Sequence, residues 1–471
     1  MKKSIYMLPI AATLLVSSCD IEMVPKGQTT LDSAQEIEYL LNSLEVNVDP
    51  GSDLCVIVNE SYGQEFTTVK QLIANTNSLT SVYLSYNEGP DRANLTRDDK
   101  RYSSIYSAIN TLNVALGKID GVSGDEAIKT RVRAEAHIKR AYLHFIAANI
   151  YAKQYDEATA SKNGGIAYVT DYEMNVKEQL PLDRVYELML EDLDDEYINQ
   201  LPEEASVLRC SRATGNAIKA RVLFQMKRYA EALSYAEAAL ELNDEVEDRS
   251  YMMEEYAWYL LPTSPNNYIY ISSSGESWWV PFADNLSLET VAKFEDGDFV
   301  IDYGYSGYPE EGEELWNPMY GEMNTGIEGS LSFTGYDTYK NPWGITVEQM
   351  MYVAAECHIR SGAAGGVQKG MEMINHVRTF RIDPDKYTPW SASTEQEAMA
   401  YLQQAKFIEN IATAENFFDR KRWITEEDYK MTVTREIPGV GTYSIAPESP
   451  LWVLPFPNSV IQNNPTFTQN Y

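Results

Sequence analysis

Cysteine is nearly missing: four in 471 residues, with no CxxC pair, argue against a disulfide framework or a zinc ribbon. Cys55, Cys210 and Cys357 stand far apart, so one bridge among them stays open. Cys357, set among Ala354, Ala355 and Ile359, reads as a small buried hydrophobe. Histidine is as scarce. His137, His144, His358 and His376 all fall in predicted helices, and none has the HExxH spacing of a zinc peptidase. His137 and His144 could share a helix face as a metal pair, but packing or surface roles fit them better. The GxSxG elbow, the P-loop and GxGxxG are also absent, so nothing points to catalysis. Basic side chains are few, 38 against 70 acidic ones for a formal charge of −32. That argues against a nucleic-acid ligand, because phosphate neutralisation needs clustered Lys and Arg. Beyond residue 18 no run is long and apolar enough to span a bilayer.

The start of the chain is different. Lys2 and Lys3 precede a short apolar run from Ile5 to Val16, interrupted by Pro9, and Val16-Ser17-Ser18 ends it with residues a signal peptidase accepts. Residues 1–18 therefore read as an export signal, and Cys19, directly after the cut, as the site of lipidation. Each buried CH₂ contributes about 0.8 kcal/mol, so two or more acyl chains anchor stably where one is marginal. Residues 19–30 are polar and aperiodic and read as a flexible tether. The lipid would then be the only membrane anchor.

With 44% hydrophobic residues, the remainder can bury a large core. Residues 31–250 form a predicted helical scaffold. A first helix is expected from about Leu31 and Asp32, followed by mixed loops and helix from Val46 to Asp99. Tyr102, Ile105, Ile109, Leu112 and Leu116 then recur at helical spacing, a second helix runs from about Asp125 to Tyr151, and another from Pro181 to Ile198. The acidic run Glu191–Glu196 reads as a solvated face of that helix. Ala220, Leu223, Tyr229, Ala232, Ala236 and Ala239 place the helix pair Thr214–Lys227 and Tyr229–Leu242 on the tetratricopeptide pattern. A fainter copy, Thr346–Phe380, opens a second repeat region over 346–425, its turn widened by Gly362–Gly366. One helix pair cannot bury its own apolar face, so several must stack. Residues 426–471 read as a C-terminal loop segment packed on the scaffold, and 31–471 as one compact unit. The fold class is thus mainly α: a tetratricopeptide-like helical-repeat scaffold with a loop-rich, aromatic-rich subdomain inserted.

That subdomain covers 251–345. It has little helical period and is rich in Gly, Ser, Asn, Pro and aromatics, with Trp258, Tyr259, Trp278, Trp279, Tyr303, Tyr305, Tyr308, Trp316 and Tyr320 as landmarks. Loops this long inside a compact protein are usually functional or disordered, and the aromatic content argues against disorder. The chain as a whole holds 33 Tyr, 8 Trp and 13 Phe, side chains that offer an apolar face to amphipathic ligands. Within the segment, Glu295-Asp296-Gly297-Asp298 could help hold a structural Ca²⁺ through oxygen ligands. Its spacing is not that of an EF-hand, and a turn is the simpler reading.

Several motifs, in order along nearly the whole chain, resemble the SusD/RagB family of outer-membrane nutrient-binding lipoproteins from Bacteroidota. Ile105-Tyr106 through Asn113 is similar to the family's early helix, and Arg133-Ala134-Glu135 through Arg140-Ala141-Tyr142 and Phe145 to its Arg-Ala-rich helix. Lys219-Ala220-Arg221 looks like the central pair, and Glu356 followed by Ile374-Asn375 and Arg378 like the later repeat. Phe417-Phe418-Asp419 with Arg422-Trp423 and the ending Leu451-Trp452, Pro455, Pro457, Asn464-Pro465 and Gln469-Asn470-Tyr471 complete the match. Departures occur at Glu415-Asn416 and at Arg420, which replaces an apolar residue. Asp20-Ile21-Glu22 partly resembles the family's acidic surface-export signal.

The resemblance implies a lipid-anchored protein of the outer membrane, facing outside, that captures an oligomeric nutrient and delivers it to a SusC-like TonB-dependent transporter. It implies a glycan ligand, with a peptide or glycopeptide as the alternative; a third reading, a surface glycoside hydrolase, would need two carboxylates at a set separation. Sugar rings stack apolar C–H faces on aromatic side chains. Trp278, Trp279, Tyr303, Tyr305 and Trp316 are therefore candidate ligand contacts, with Tyr83 and Tyr86 as a second group near Asn87. Trp423 and Trp452 lie in scaffold motifs and read as packing residues.

Overall fold

The computed structural model describes residues 30–42, 52–63, 67–253, 266–269, 284–304, 320–333 and 341–471. It is mainly helical, and its described strands form two-stranded antiparallel ladders. The two longest helices, Lys100–Lys118 and Glu126–Tyr151, begin at aspartates. Asp99 accepts from the backbone N–H of Arg101 and Tyr102, and Asp125 from that of Ala127, so donors that a helix start leaves unpaired are satisfied. Ile105, Ile109 and Leu112 on the first helix and Ile138, Ala141 and Phe145 on the second are buried in one continuous core. The first helix of the scaffold, Ala34–Asn42, packs across both.

The helix expected over 181–198 is two helices, Leu182–Asp192 and Asp195–Gln200. Asp194 ends the first by offering its carboxylate to the Glu196 N–H at 2.8 Å, a local bond that competes with helix continuation. The acidic run around it is also not uniformly solvated. Asp192 is buried and receives Arg140 Nε and Nη2 at 2.7 Å, Tyr168 Oη at 2.6 Å and His137 Nδ1 at 2.7 Å. Burial opposes its charge, but the hydrogen bonds from His137 and Arg140 outweigh burial and carry Asp192 down to about 2.

Helix pairs stand at both places where the spacing puts them. Arg212–Gln225 and Tyr229–Leu242 pack closely, joined through Lys227 in the left-handed region with φ 61°. Val347–Ile359 and Gly366–Thr379 form the second pair, whose wider turn is made with Gly362 and Gly365 at φ 63° and 80°. Glycine adopts that backbone region without steric penalty. The second helix of the first pair packs on the first helix of the second pair, and Glu395–Glu409 covers the next face, so the pairs bury one another.

Glu415–Trp423 runs beneath these pairs with every residue buried. The C-terminal residues then form a hairpin, Val433–Ile437 with Gly441–Ile445, followed by a chain that lies back on the scaffold. Leu454 N–H donates to Ile150 O at 3.0 Å, and Asn470 Nδ2 donates to Tyr151 O at 2.8 Å. Cys210 and Cys357 are free, buried thiols, and Cys55 is a buried thiol that donates to Thr413 O at 4.0 Å. Among the described residues no helix is long and apolar enough to cross a membrane.

Candidate functional site

The aromatic-rich segment meets the scaffold through two short ladders. Asn267–Ile269 pairs with Ile345–Thr346, and Asp284–Asn285 pairs with Ser332–Phe333. Asn341 locks the first ladder: its Nδ2 donates to Ile269 O at 2.6 Å and to Asn267 Oδ1 at 2.7 Å, while its Oδ1 accepts from Gly344 N–H at 2.9 Å. Tyr142 Oη on the long helix donates to Trp343 O at 2.7 Å, fixing this ladder to the scaffold. The second ladder is tied to the N-terminal helices. Asn285 Nδ2 donates to Gly63 O at 2.7 Å, Ser332 Oγ donates to Asn285 Oδ1 at 2.7 Å, and Tyr62 N–H donates to Asn285 O at 2.7 Å. Residues 270–283 and 334–340 both connect these same two ladders, and Tyr320–Thr325, which follows 305–319, packs on the second.

Trp278, Trp279, Tyr305 and Trp316 lie outside the described residues, as does Cys19. Tyr303 falls on the short helical turn Val300–Gly304. Tyr83 and Tyr86 do not form a ligand surface. They are 1% and 6% exposed, because the C-terminal hairpin covers them: Arg435 lies over the Tyr86 ring at 4.5 Å and donates to Tyr83 O and Leu84 O at 3.0 and 2.7 Å. Tyr86 Oη donates inward to Ile57 O at 2.9 Å. Trp423 and Trp452 are packed, as their scaffold motifs suggest.

The acidic turn at 295–298 spends its carboxylates on separate partners. Glu295 accepts from Arg378 Nε at 2.8 Å, Asp296 from Lys386 Nζ at 2.9 Å, and Asp298 from Val300 N–H at 2.9 Å. Burial pushes Asp298 up to about 6, with nearby Arg249 acting against it. Among the described residues no group of three His, Cys, Asp or Glu side chains is placed to hold a metal ion. His137 is stacked on Tyr197 and faces Asp192. His144 is buried, with Nδ1 against Arg140 O at 2.9 Å and Nε2 accepting from Val169 N–H at 3.0 Å. Burial lowers His144 to about 3, so it is a neutral link between helix and loop.

A separate cleft of about 410 Å³ opens beside the end of the long helix, lined by Lys153, Asp156, Asn163, Lys421, Trp452 and Tyr471 among others. No motif pointed to it, because its walls come from four stretches distant in sequence.

A SusD-like family model, described as starch-binding and associating with the outer membrane, matches residues 20–224. Solved structures extend the likeness over the remaining chain. A SusD superfamily protein from Bacteroides thetaiotaomicron superposes with a TM-score of 0.67 at 16% identity, covering 93% of this chain and 100% of that one. The chain has the SusD-like fold. Another SusD superfamily protein, from Bacteroides vulgatus, gives 0.68 at 14% identity over 93% and 99% of the two chains. Surface glycan-binding protein A from Bacteroides uniformis gives 0.65 at 15% identity over 93% and 98%. No curated protein sequence matches. At these identities the solved structures establish the fold alone.

Proposed function

We propose that this SusD-like protein is a surface glycan-binding lipoprotein, anchored through Cys19, that captures an oligosaccharide and hands it to a SusC-like TonB-dependent transporter. The observation that carries the reading is the near-complete superposition on a surface glycan-binding protein, joined to a family match beginning directly after Cys19. The ligand contacts in this reading are Trp278, Trp279, Tyr303, Tyr305 and Trp316, on the segment that the two ladders hold. Flat apolar rings flanked by Ser, Asn and Gly suit sugar faces and hydroxyls together. The net charge of −32 favours neutral glycans over anionic ones.

The test is calorimetric titration of a soluble form lacking residues 1–19 against polysaccharides and peptides. Polysaccharide binding is expected, weakened about tenfold, or ~1.4 kcal/mol, by replacing a stacking ring among Trp278, Trp279 and Trp316 with Ala. Binding to peptides alone would overturn the glycan reading, and unchanged affinity in all three variants would relocate the site.

A further inference from the structure

The cleft beside the long helix has the size and chemistry of a binding site, yet nothing in the fold requires it to be open. Its volume of about 410 Å³ falls in the range of small-molecule pockets, roughly 300–1,000 Å³. Three elements meet there: the chain leaving Glu126–Tyr151, the end of Glu415–Trp423, and the C-terminal residues. Trp452 is its floor, only 3% exposed and held by Nε1 donating to Ala446 O at 2.9 Å. Tyr471 differs, at 38% exposed. The Arg92 guanidinium sits 4.0 Å from the Tyr471 ring centroid, and Arg92 is itself buried and fixed by donating to Val453 O and Pro450 O at 2.8 and 2.9 Å. One ring face is thereby occupied by Arg92, and Tyr471 is among the residues that line the cleft.

Across from that ring stands a polar wall with unspent capacity. Lys153 has no ion-pair partner among the described residues. Asp156 uses Oδ1 on Ala158 N–H at 3.0 Å, and Asn163 uses Nδ2 on Thr159 Oγ1 at 3.2 Å. Asp156 Oδ2 and Asn163 Oδ1 remain as acceptors. Lys421, 1% exposed, also lines the cleft and donates to Asn149 O and Ala152 O. Lys153 stands with Asp156 and Glu448 in the lining, and Lys421 is taken up by two backbone carbonyls, so the lining presents no cluster of one sign. A neutral ligand with one apolar face and several hydroxyls satisfies such a wall.

We propose that this cleft is a second sugar site, taking a neutral mono- or disaccharide with one ring on Tyr471 and hydroxyls on Lys153, Asp156 and Asn163. The inference rests on the reading of the protein as a glycan binder, but it uses none of the residues of the aromatic segment. Occupation of both sites by one long glycan would raise avidity without any new contact.

The test is saturation-transfer NMR of the full chain in detergent with maltose, cellobiose and lactose, beside a polysaccharide titration of the same sample. At least one disaccharide is expected to bind. Tyr471→Ala and Asp156→Ala, both near the rim, should each weaken it fivefold or more, while a Trp278→Ala, Trp316→Ala double variant keeps it. Disaccharide binding untouched by both cleft variants, or lost in the double tryptophan variant, would overturn the second site and leave the proposed function standing. Polysaccharide binding without any disaccharide binding does the same. If no glycan binds at all, both readings fall.

Discussion

Glu356 has no solvent contact, yet it is charged. Its carboxylate accepts from Arg422 Nη1 and Nη2 at 2.7 and 2.9 Å, from Arg360 Nε at 2.8 Å and from Trp423 Nε1 at 3.0 Å. Burial disfavours that charge, but Arg422 and then Arg360 more than offset it and hold the carboxyl well below 4.5. Removing one partner of such a buried pair leaves a bare charge, so Glu356→Gln should lower the unfolding free energy by about 3–5 kcal/mol. Denaturant unfolding measures this, and a loss under about 1 kcal/mol would mean that Asp419 and Glu426 can take over Arg422. Because the folded pKa is depressed, Glu356 stabilises the fold above its unfolded value and the gain is lost only as pH falls through the lower, folded one. Lys421 is also shifted down, but there burial favours the neutral form. Burial pulls it down to about 7, while the two carbonyls it donates to favour the charged form. With the folded value below the unfolded 10.5, the unfolded chain keeps the proton longer, so stability should rise with pH between about 7 and 10.5 and stay level below that window. Unfolding of the protein and of Lys421→Met at pH 6.5 and pH 9 decides which influence wins. A difference between the two proteins that is equal at both pH values would show that the carbonyls keep Lys421 charged.

At the scale of elements, the ladder at Asn267–Ile269 and Ile345–Thr346 is where the aromatic segment is positioned. Gly344 has no room for a side chain: an added Cβ would stand 2.1 Å from Ile269 O and from Asn341 Oδ1. The first is backbone and cannot swing aside, so Gly344→Ala should destabilise the protein by roughly 1–3 kcal/mol and also weaken glycan binding. A lower melting temperature with unchanged affinity would show that this ladder supports the fold without aligning the site. The same scale explains what could be read from the chain beforehand. The long helices and both helix pairs follow from local spacing, since a helix declares its buried face through residues three and four apart. Asp192 was misread because its partners Arg140 and Tyr168 lie 52 and 24 residues away. The burial of Tyr83 has no local signal, because Arg435, which helps cover it, lies 352 residues later. The second site was invisible for the same reason: Lys153, Lys421 and Tyr471 meet only after the chain has closed on itself.

For the whole molecule, the question is whether 31–471 unfolds as a unit, and the three buried thiols report on it from different places. Cys55 sits in Ser52–Ile57, Cys210 just before Arg212–Gln225, and Cys357 near the end of Val347–Ile359. Burial pushes the Cys210 and Cys357 thiols up to about 12, so at pH 8 neither offers appreciable thiolate to a disulfide reagent while folded. The packing between them is continuous, one core cluster running from Ala34 to Phe467. Arg435 binds the N-terminal helices to the C-terminal hairpin through Asn59 Oδ1 at 2.9 Å. Such closure makes partial opening costly, because freeing either end breaks the Arg435 hydrogen bonds to Asn59 Oδ1, Tyr83 O and Leu84 O. In a form lacking residues 1–19, so that Cys19 contributes no thiol, the three cysteines should become reactive together at one denaturant midpoint that coincides with the loss of helical circular dichroism. Staged labelling, with Cys55 reacting before Cys210 and Cys357, would show that the N-terminal helices open on their own. The ladder at Asn285, which they hold, would then be the movable part of the aromatic segment's frame.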